Sequence, residues 1–218
     1  MSHTTRDRAK RHFPTVGLTL LSIVQALALE LLWGYITEAN YLYAWNSTAL
    51  IGWLQVLTTL IGLGLVWVIY ASNIMRFEWV PTMSDSIYPF VIGIAEFALV
   101  GASGPGRFHL WFIAITLIIA VTTWVVQITM VRARLEAENA EFFATRAPAT
   151  LADFVPQISV CASMLLIALL VWLFPASLWL QALGTTCTLG FLLWQFRDTT
   201  RYWQASIAPN TSTEQADP

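Results

Sequence analysis

Two carboxylates, Glu30 and Glu96, lie inside long apolar stretches that contain no lysine or arginine. An ionisable side chain in such surroundings is energetically costly and is typical of a functional site. Two carboxylates without a nearby cation either hold a proton, because desolvation and mutual repulsion favour the neutral acid, or bind a cationic solute or metal. The pair therefore indicates proton or cation coupling. With only amide and hydroxyl oxygens beside it, the pair suits a hard ion better than zinc, but it does not name the metal.

The elements that must position these groups are membrane-spanning helices. Of the 218 residues, 57% are hydrophobic and only 11% are charged, whereas an ordinary soluble domain has roughly 25% charged residues. The mean hydropathy is +0.63, and the formal net charge of −2 shows no basic bias. This composition excludes a nucleic-acid-binding protein, a disordered chain and a disulfide scaffold, and it predicts an integral membrane protein whose first partner is the lipid bilayer.

Six segments are long and apolar enough to cross a hydrocarbon core of about 30 Å as helices. They cover residues 15–37, 47–71, 86–103, 108–131, 154–174 and 176–196. We expect one all-α domain over residues 15–203, built as a bundle of six transmembrane helices. A basic leader at residues 1–14 precedes this domain, and a polar, disordered tail at residues 204–218 follows it.

The orientation follows from the distribution of lysine and arginine, because positively charged connections stay on the cytoplasmic side. Ten of the 11 basic residues fall on one side of the six predicted spans, and Arg107 alone falls on the other. The charge pattern therefore predicts that both termini are cytoplasmic, in a bacterial-type inner membrane or a plasma membrane.

Glu30 and Glu96 fall at the same predicted depth, each about 10 Å below the outer end of its span. Other polar side chains fall close to this layer: Gln55, Thr116, Gln181 and Thr185. Arg107 and His109 fall near the outer surface. We expect these groups to line one polar pocket that opens outward, with Arg107 and His109 at its mouth. The alternative is that each polar group is an interhelical hydrogen-bond partner with a structural role only.

Three classes of function remain open. The first is a small transporter or channel that uses the carboxylate pair for a proton, a cation or a small cationic solute. The second is a non-catalytic scaffold or sensor subunit that binds a cytoplasmic protein partner through the segment from Arg132 to Arg146. The third is a lipid-modifying membrane enzyme, although the sequence offers no nucleophile–base pair. No cofactor is evident, since the spans contain neither a histidine pair for haem nor a lysine for retinal.

Local patterns around the inner connections make further predictions. Ser84 or Asp85 is suited to cap the third span, and the sequence from Thr150 to Asp153 has the form of a capping box. Between Arg132 and Arg146 we expect a helix that continues the fourth span, with Arg132–Glu136 and Arg134–Glu138 as i,i+4 ion pairs. Phe77, Trp79 and Met83 are suited to the lipid headgroup layer.

Overall fold

The computed structural model describes residues 4–144 and 146–207, and this part of the chain contains helices but no strand. The helices are α1 (Thr5–Glu38), α2 (Ser47–Arg76), α3 (Met83–Gly101), α4 (Phe108–Ala133), α5 (Ala140–Ala144), α6 (Val155–Leu173) and α7 (Leu178–Ile207). Short 3-10 turns occur at Asn40–Tyr43, Ala137–Asn139 and Leu151–Phe154. The prediction of an all-α protein is confirmed.

Five of these helical segments are long and apolar enough to cross a membrane. They are α1 to α4 and the segment Leu151–Leu173, which contains α6. The chain is therefore a membrane-embedded helical protein. The 30-residue helix α7 is less apolar, because glutamines, threonines and the charged residues Arg197, Asp198 and Arg201 occur among its hydrophobic residues.

The six long helices close a ring in the order α1, α3, α4, α6, α7 and α2. The largest hydrophobic core joins α2, α3 and α4 to α6 and α7, and a second core joins α1, α2 and α3. Successive long helices run in opposite directions. We call the end of the ring that holds Thr5 and Ile207 the termini side, and the end that holds residues 39–46, 102–107 and 174–177 the loop side.

Helices α1 and α3 approach closely at Gly93. A Cβ atom built on this glycine would collide with Cγ1 of Val24, so the glycine permits a separation that a larger residue would prevent. Gln25 follows Val24 directly, and Glu96 lies one turn after Gly93 on the same face of α3. The close approach therefore sets Gln25 against Glu96.

On the loop side, a tight turn joins α3 to α4. Gly104 and Gly106 have φ angles of 109° and 80°, which favour glycine because a Cβ would be strained there. The amide nitrogen of Gly104 donates a hydrogen bond of 3.0 Å to Oε1 of Gln55. This bond fastens the turn to α2.

On the termini side, an ion pair joins the start of α3 to the end of α4. Helix α3 begins earlier than predicted, so its N-cap is Thr82 rather than Ser84 or Asp85, and Asp85 is the third helical residue of a capping box with Thr82. Arg132 donates to Oδ1 of Asp85 over 2.6 Å and to Oγ1 of Thr82 over 3.0 Å. The capping box at Thr150 and Asp153 is also present, although it begins a 3-10 turn.

The segment after α4 differs from its prediction, because α4 ends at Ala133 and no continuous helix follows. The predicted i,i+4 ion pairs do not form: Arg132 binds Asp85, and Glu136 binds Arg6 and Lys10 of α1. Asn139 stabilises the fold-back, since its amide donates to the backbone oxygens of Glu78 and Ala133. Long-range contacts thus replace the local helical pairs.

Two aromatic residues predicted at the headgroup layer are buried instead. Phe77 is 5% exposed and Trp79 is 7% exposed, whereas Met83 is 88% exposed. Trp79 packs edge-on against Phe13 of α1, with ring centroids 5.8 Å apart. These rings give the termini side a small hydrophobic core of its own.

The ends of the described chain are more helical than the sequence suggests. Helix α1 begins at Thr5, so the basic leader is continuous with the first span from that residue onward. Helix α7 extends to Ile207, which makes residues 204–207 of the predicted tail helical. The remaining tail, residues 208–218, lies outside the described residues.

We expect the start of α1 to detach from the fold-back segment in acid. Hydrogen bonds from Lys10 and Arg6 hold the pKa of Glu136 below its ordinary value of 4.5. A carboxylate with a lowered pKa stabilises the docked state above the unfolded pKa, and this contribution is lost as the pH falls through the folded pKa. Spin labels at Thr5 and Ala137 should therefore stay close at neutral pH and separate progressively as the pH falls below 4.5 towards the lowered pKa of Glu136, as measured by pulsed electron resonance.

The variant Glu136→Gln should show the wider label separation already at neutral pH. Glu38→Gln, an exposed carboxylate on the loop side, is the matched control and should keep the wild-type pH profile. A separation that does not change with pH in the wild type would contradict this role of Glu136.

Candidate functional site

A cavity of about 270 Å³ opens on the termini side between α2, α4, α6 and α7, and α3 closes its deep end. Aliphatic side chains line its deeper part. Polar side chains concentrate towards the mouth, among them Arg76, Thr122, Gln127, Gln157, Gln195 and Tyr202. The lining therefore changes from polar at the mouth to apolar at depth, with one exception.

That exception is Glu96, whose side chain lines the cavity and is fully buried. Nε2 of Gln25 donates a hydrogen bond to Oε1 of Glu96, whereas Oε2 has no hydrogen-bond partner among the described residues. A buried carboxylate with one unpaired oxygen is costly, because its desolvation is only partly compensated. Binding a proton or a cation at Oε2 would relieve this cost.

Unpaired polar atoms concentrate along this cavity. Six buried side-chain nitrogen or oxygen atoms in the described part of the chain have no hydrogen-bond partner. Four of them belong to residues that line the cavity: Arg76 Nε, Glu96 Oε2, Thr122 Oγ1 and Gln157 Oε1. Buried polar groups in proteins are normally paired, so these four atoms can pair with water or with a polar solute that enters the cavity.

The loop-side half of the ring is closed above this cavity. The cavity ends at Ile115 on α4 and at Gly62 on α2, which are the lining residues of these helices nearest the loop side. One turn further towards the loop side, Trp111 is fully buried and its Nε1 donates to Oγ1 of Thr59 over 3.0 Å. In the described part of the chain, the contact between Trp111 and Thr59 therefore separates the cavity and Glu96 from the loop side.

The structure separates the two carboxylates that the sequence suggested as a pair. Glu30 is exposed on the outer face of α1 and does not line the cavity. It follows Gln25 by five residues, which rotates it by about 140° around the helix from the face that meets α3. The polar partner of Glu96 is Gln25 instead.

The other predicted site residues do not gather around Glu96 either. The hydroxyls of Thr116 and Thr185 each donate to the backbone oxygen four residues earlier in their own helix. Gln181 donates to the backbone oxygen of Pro175, and Gln55 accepts from Gly104 as described above. These bonds correspond to the structural alternative, in which each group satisfies a single partner.

The two residues expected at an outward mouth lie on the loop side but not at this cavity. Arg107 is exposed and donates to the backbone oxygen of Gly101 over 3.1 Å, and it borders a shallow surface depression. His109 is partly buried. The cavity that contains Glu96 opens at the opposite end, so the predicted outward pocket is replaced by one on the termini side.

Sequence reasoning missed Gln25 and the three glutamines of the cavity, although a signal for each was present. Gln25 interrupts a helical stripe of apolar residues at Leu21, Ala28 and Leu32, which is where an interhelical hydrogen bond is expected. Gln127, Gln157 and Gln195 each lie within a few residues of the inner end of a predicted span. These three glutamines therefore share an inner depth in the sequence, as the outer polar residues share an outer one.

Comparisons with protein families, curated proteins and solved structures found no match to this chain. No set of three or more His, Cys, Asp or Glu side chains converges as metal ligands within residues 4–144 and 146–207. The assignment of a site therefore rests on the buried carboxylate and the cavity around it.

We expect a cysteine at Thr122 to react with a small, water-soluble thiol reagent in the folded protein. Thr122 lines the cavity, and cysteine is close to threonine in size. Thr116→Cys, on the same helix but outside the cavity, is the matched control and should not react. Both variants need Cys161 and Cys187 replaced by serine, because these are free thiols. Mass spectrometry of the labelled protein measures the result, and equal labelling at both positions would contradict an accessible cavity.

Proposed function

We propose that the chain crosses the membrane six times and has both termini in the cytoplasm of a bacterial-type inner membrane or a plasma membrane. The support for a sixth span is that α7 is 30 residues long and completes the ring between α6 and α2. The support for the orientation is the excess of basic residues on the termini side. In this arrangement the termini side is cytoplasmic and the loop side is external.

Reporter fusions test this topology. Fusions after Thr48 and Arg107 should report an external location, and fusions after Arg146 and Tyr202 should report a cytoplasmic one. The reason is that positively charged connections are retained in the cytoplasm during insertion. Each fusion is made with two reporters, one active only in the cytoplasm and one active only outside it. Either location then gives a signal from one of the two reporters. An external result at Arg146 would overturn the orientation, and one at Tyr202 would remove the sixth span.

We infer that the protein is a small transporter or channel that carries a proton or a monovalent cationic solute by way of Glu96. The observation that carries this proposal is the buried carboxylate with an unpaired oxygen at the deep end of a cavity open to the termini side. One carboxylate neutralises one positive charge, which favours a proton or a monocation over a divalent metal. Gln25 holds Oε1 and leaves Oε2 available to the solute.

The geometry corresponds to a state open to one side only. The solute enters from the cytoplasmic side and reaches Glu96 through the polar mouth of the cavity. Release to the other side requires that the packing around Trp111 and Thr59 opens, because these residues seal the external half. Opening one half while closing the other is the general mode of alternating access in transporters.

Flux in reconstituted liposomes tests the role of Glu96. We expect Glu96→Gln to reduce flux of protons and of a monovalent organic cation to the level of protein-free liposomes. The amide keeps the shape of the side chain and can still bond Gln25, so the loss of stability should stay near 1 kcal/mol, which corresponds to about 2–4 °C in Tm for a chain of this size. Thermal unfolding of the same preparations checks that the variant is folded.

Glu30→Gln is the matched control, because Glu30 is an exposed carboxylate on α1 that does not line the cavity. This variant should keep wild-type flux. Loss of flux in both variants would restore the original carboxylate pair as the functional unit. Unaltered flux in Glu96→Gln would remove the transport proposal.

The alternative function, a scaffold that presents residues 132–146 to a cytoplasmic partner, has less support. The charged side chains of Arg132, Glu136 and Glu138 are engaged within the chain. Leu135 is 79% exposed and is the main apolar contact that the segment offers outward. A partner at this segment would therefore dock on the folded-back surface rather than on a free helix.

A further inference from the structure

Arginines gather around two phenylalanine rings on the termini side. The guanidinium carbon of Arg76 lies 5.4 Å from the centroid of the Phe142 ring, and that of Arg146 lies 4.2 Å from the same centroid. Both guanidinium groups therefore contact the same ring, which keeps the two positive charges close to each other. Arg76 also lies over Phe77, 5.0 Å from its centroid. Such cation–π contacts fix the groups in place while leaving their N–H donors available.

A third arginine holds Arg146 in position. Arg134 donates to the backbone oxygens of Arg146 and Ala147 over 2.8 and 3.0 Å, and its guanidinium lies 4.5 Å from the centroid of Phe143. The backbone at residue 146 is thus fastened to the end of α4. The hydrogen bonds from Arg134 therefore hold the backbone from which the Arg146 side chain reaches the Phe142 ring.

Neither Arg76 nor Arg146 forms a salt bridge among the described residues. The ion pairs in this part of the chain belong to Arg6, Lys10 and Arg132, and none involves Arg76 or Arg146. Nε of Arg76 is buried and has no hydrogen-bond partner. Two neighbouring positive charges without an anion repel each other, so an anion that contacts both would stabilise the arrangement.

We propose that Arg76 and Arg146 form a binding site for a phosphate group, supplied by a phospholipid headgroup or by free phosphate. The planar fork of each guanidinium matches the oxygen geometry of phosphate and gives two parallel hydrogen bonds. Arg76 is the last residue of α2, and the end of a spanning helix is expected to meet the headgroup layer. Basic pockets at this level are suited to anionic lipid headgroups.

The proposed site lies at the mouth of the cavity that contains Glu96, at the opposite end from that carboxylate. Arg76 lines the mouth of the cavity, whereas Glu96 lies at its deep end and carries the opposite charge when ionised. A phosphate on Arg76 and Arg146 would lie at the entrance and would not require any solute at Glu96. Failure of the transport proposal therefore leaves this one intact, and the reverse also holds.

Binding to the full-length protein in phosphatidylcholine nanodiscs tests the proposal. The two probes are inorganic phosphate in solution and phosphatidic acid added to the nanodisc lipid. We expect at least one of them to bind the wild-type protein with a saturable rise in Tm. Arg146→Gln and Arg76→Gln should each weaken the apparent Kd by about tenfold or more, because each removes a charge-assisted pair. Arg146 is exposed, so its variant is expected to fold, and its Tm without probe checks this.

Arg197→Gln is the matched control, since Arg197 is an exposed arginine on the same side of the ring, on α7. It should leave the affinity unchanged. Binding of phosphatidic acid alone would identify a lipid headgroup as the ligand, and binding of inorganic phosphate would identify the free anion. If neither probe binds, or if Arg197→Gln weakens binding as much as Arg146→Gln does, the proposed site is wrong and only diffuse surface charge remains.

Discussion

The contact between Gln25 and Glu96 is the interaction on which the interior of this protein depends. A carboxylate deep in an apolar bundle must be paired, because neither lipid nor aliphatic side chains can compensate for its lost hydration. Gly93 allows α1 to approach α3 closely enough for the amide to reach it. The amide satisfies only one of the two carboxylate oxygens, and the second remains at the wall of a cavity. The same contact thus stabilises the crossing of two helices and defines the most polar point of the interior.

The two halves of the ring differ in how their polar groups are satisfied. On the loop side, Gln55 pairs with the turn at Gly104, and Trp111 pairs with Thr59, so the packing is closed. On the termini side, Arg76, Thr122 and Gln157 each keep an unpaired buried atom along the cavity. Most of the unpaired buried atoms of the described residues therefore belong to the termini side and the cavity, although Nε2 of Gln55 on the loop side also has no partner.

Electrostatics on the termini side have two distinct patterns. The start of α1 is fastened to the fold-back segment through Lys10 and Glu136, and α3 is fastened to α4 through Asp85 and Arg132. These are compensated ion pairs with a structural role. Arg76 and Arg146 instead share an aromatic ring and form no salt bridge among the residues described. The basic residues that favour cytoplasmic retention therefore differ in whether the chain itself neutralises them.

The sequence alone determined the class of protein, because composition and the length of apolar runs depend only on local chemistry. It also identified Glu96 as exceptional and the capping box of Thr150 and Asp153, since both follow from the residue and its immediate neighbours. Tertiary structure decided which side chains meet. Glu30 and Glu96 share a depth, but depth does not fix rotation about a helix axis, and the rotation of α1 turns Glu30 outward and Gln25 inward. The segment after Ala133 folded back for the same reason: contacts of Glu136 with Lys10 and of Asn139 with Glu78, far apart in the chain, prevailed over the i,i+4 pattern.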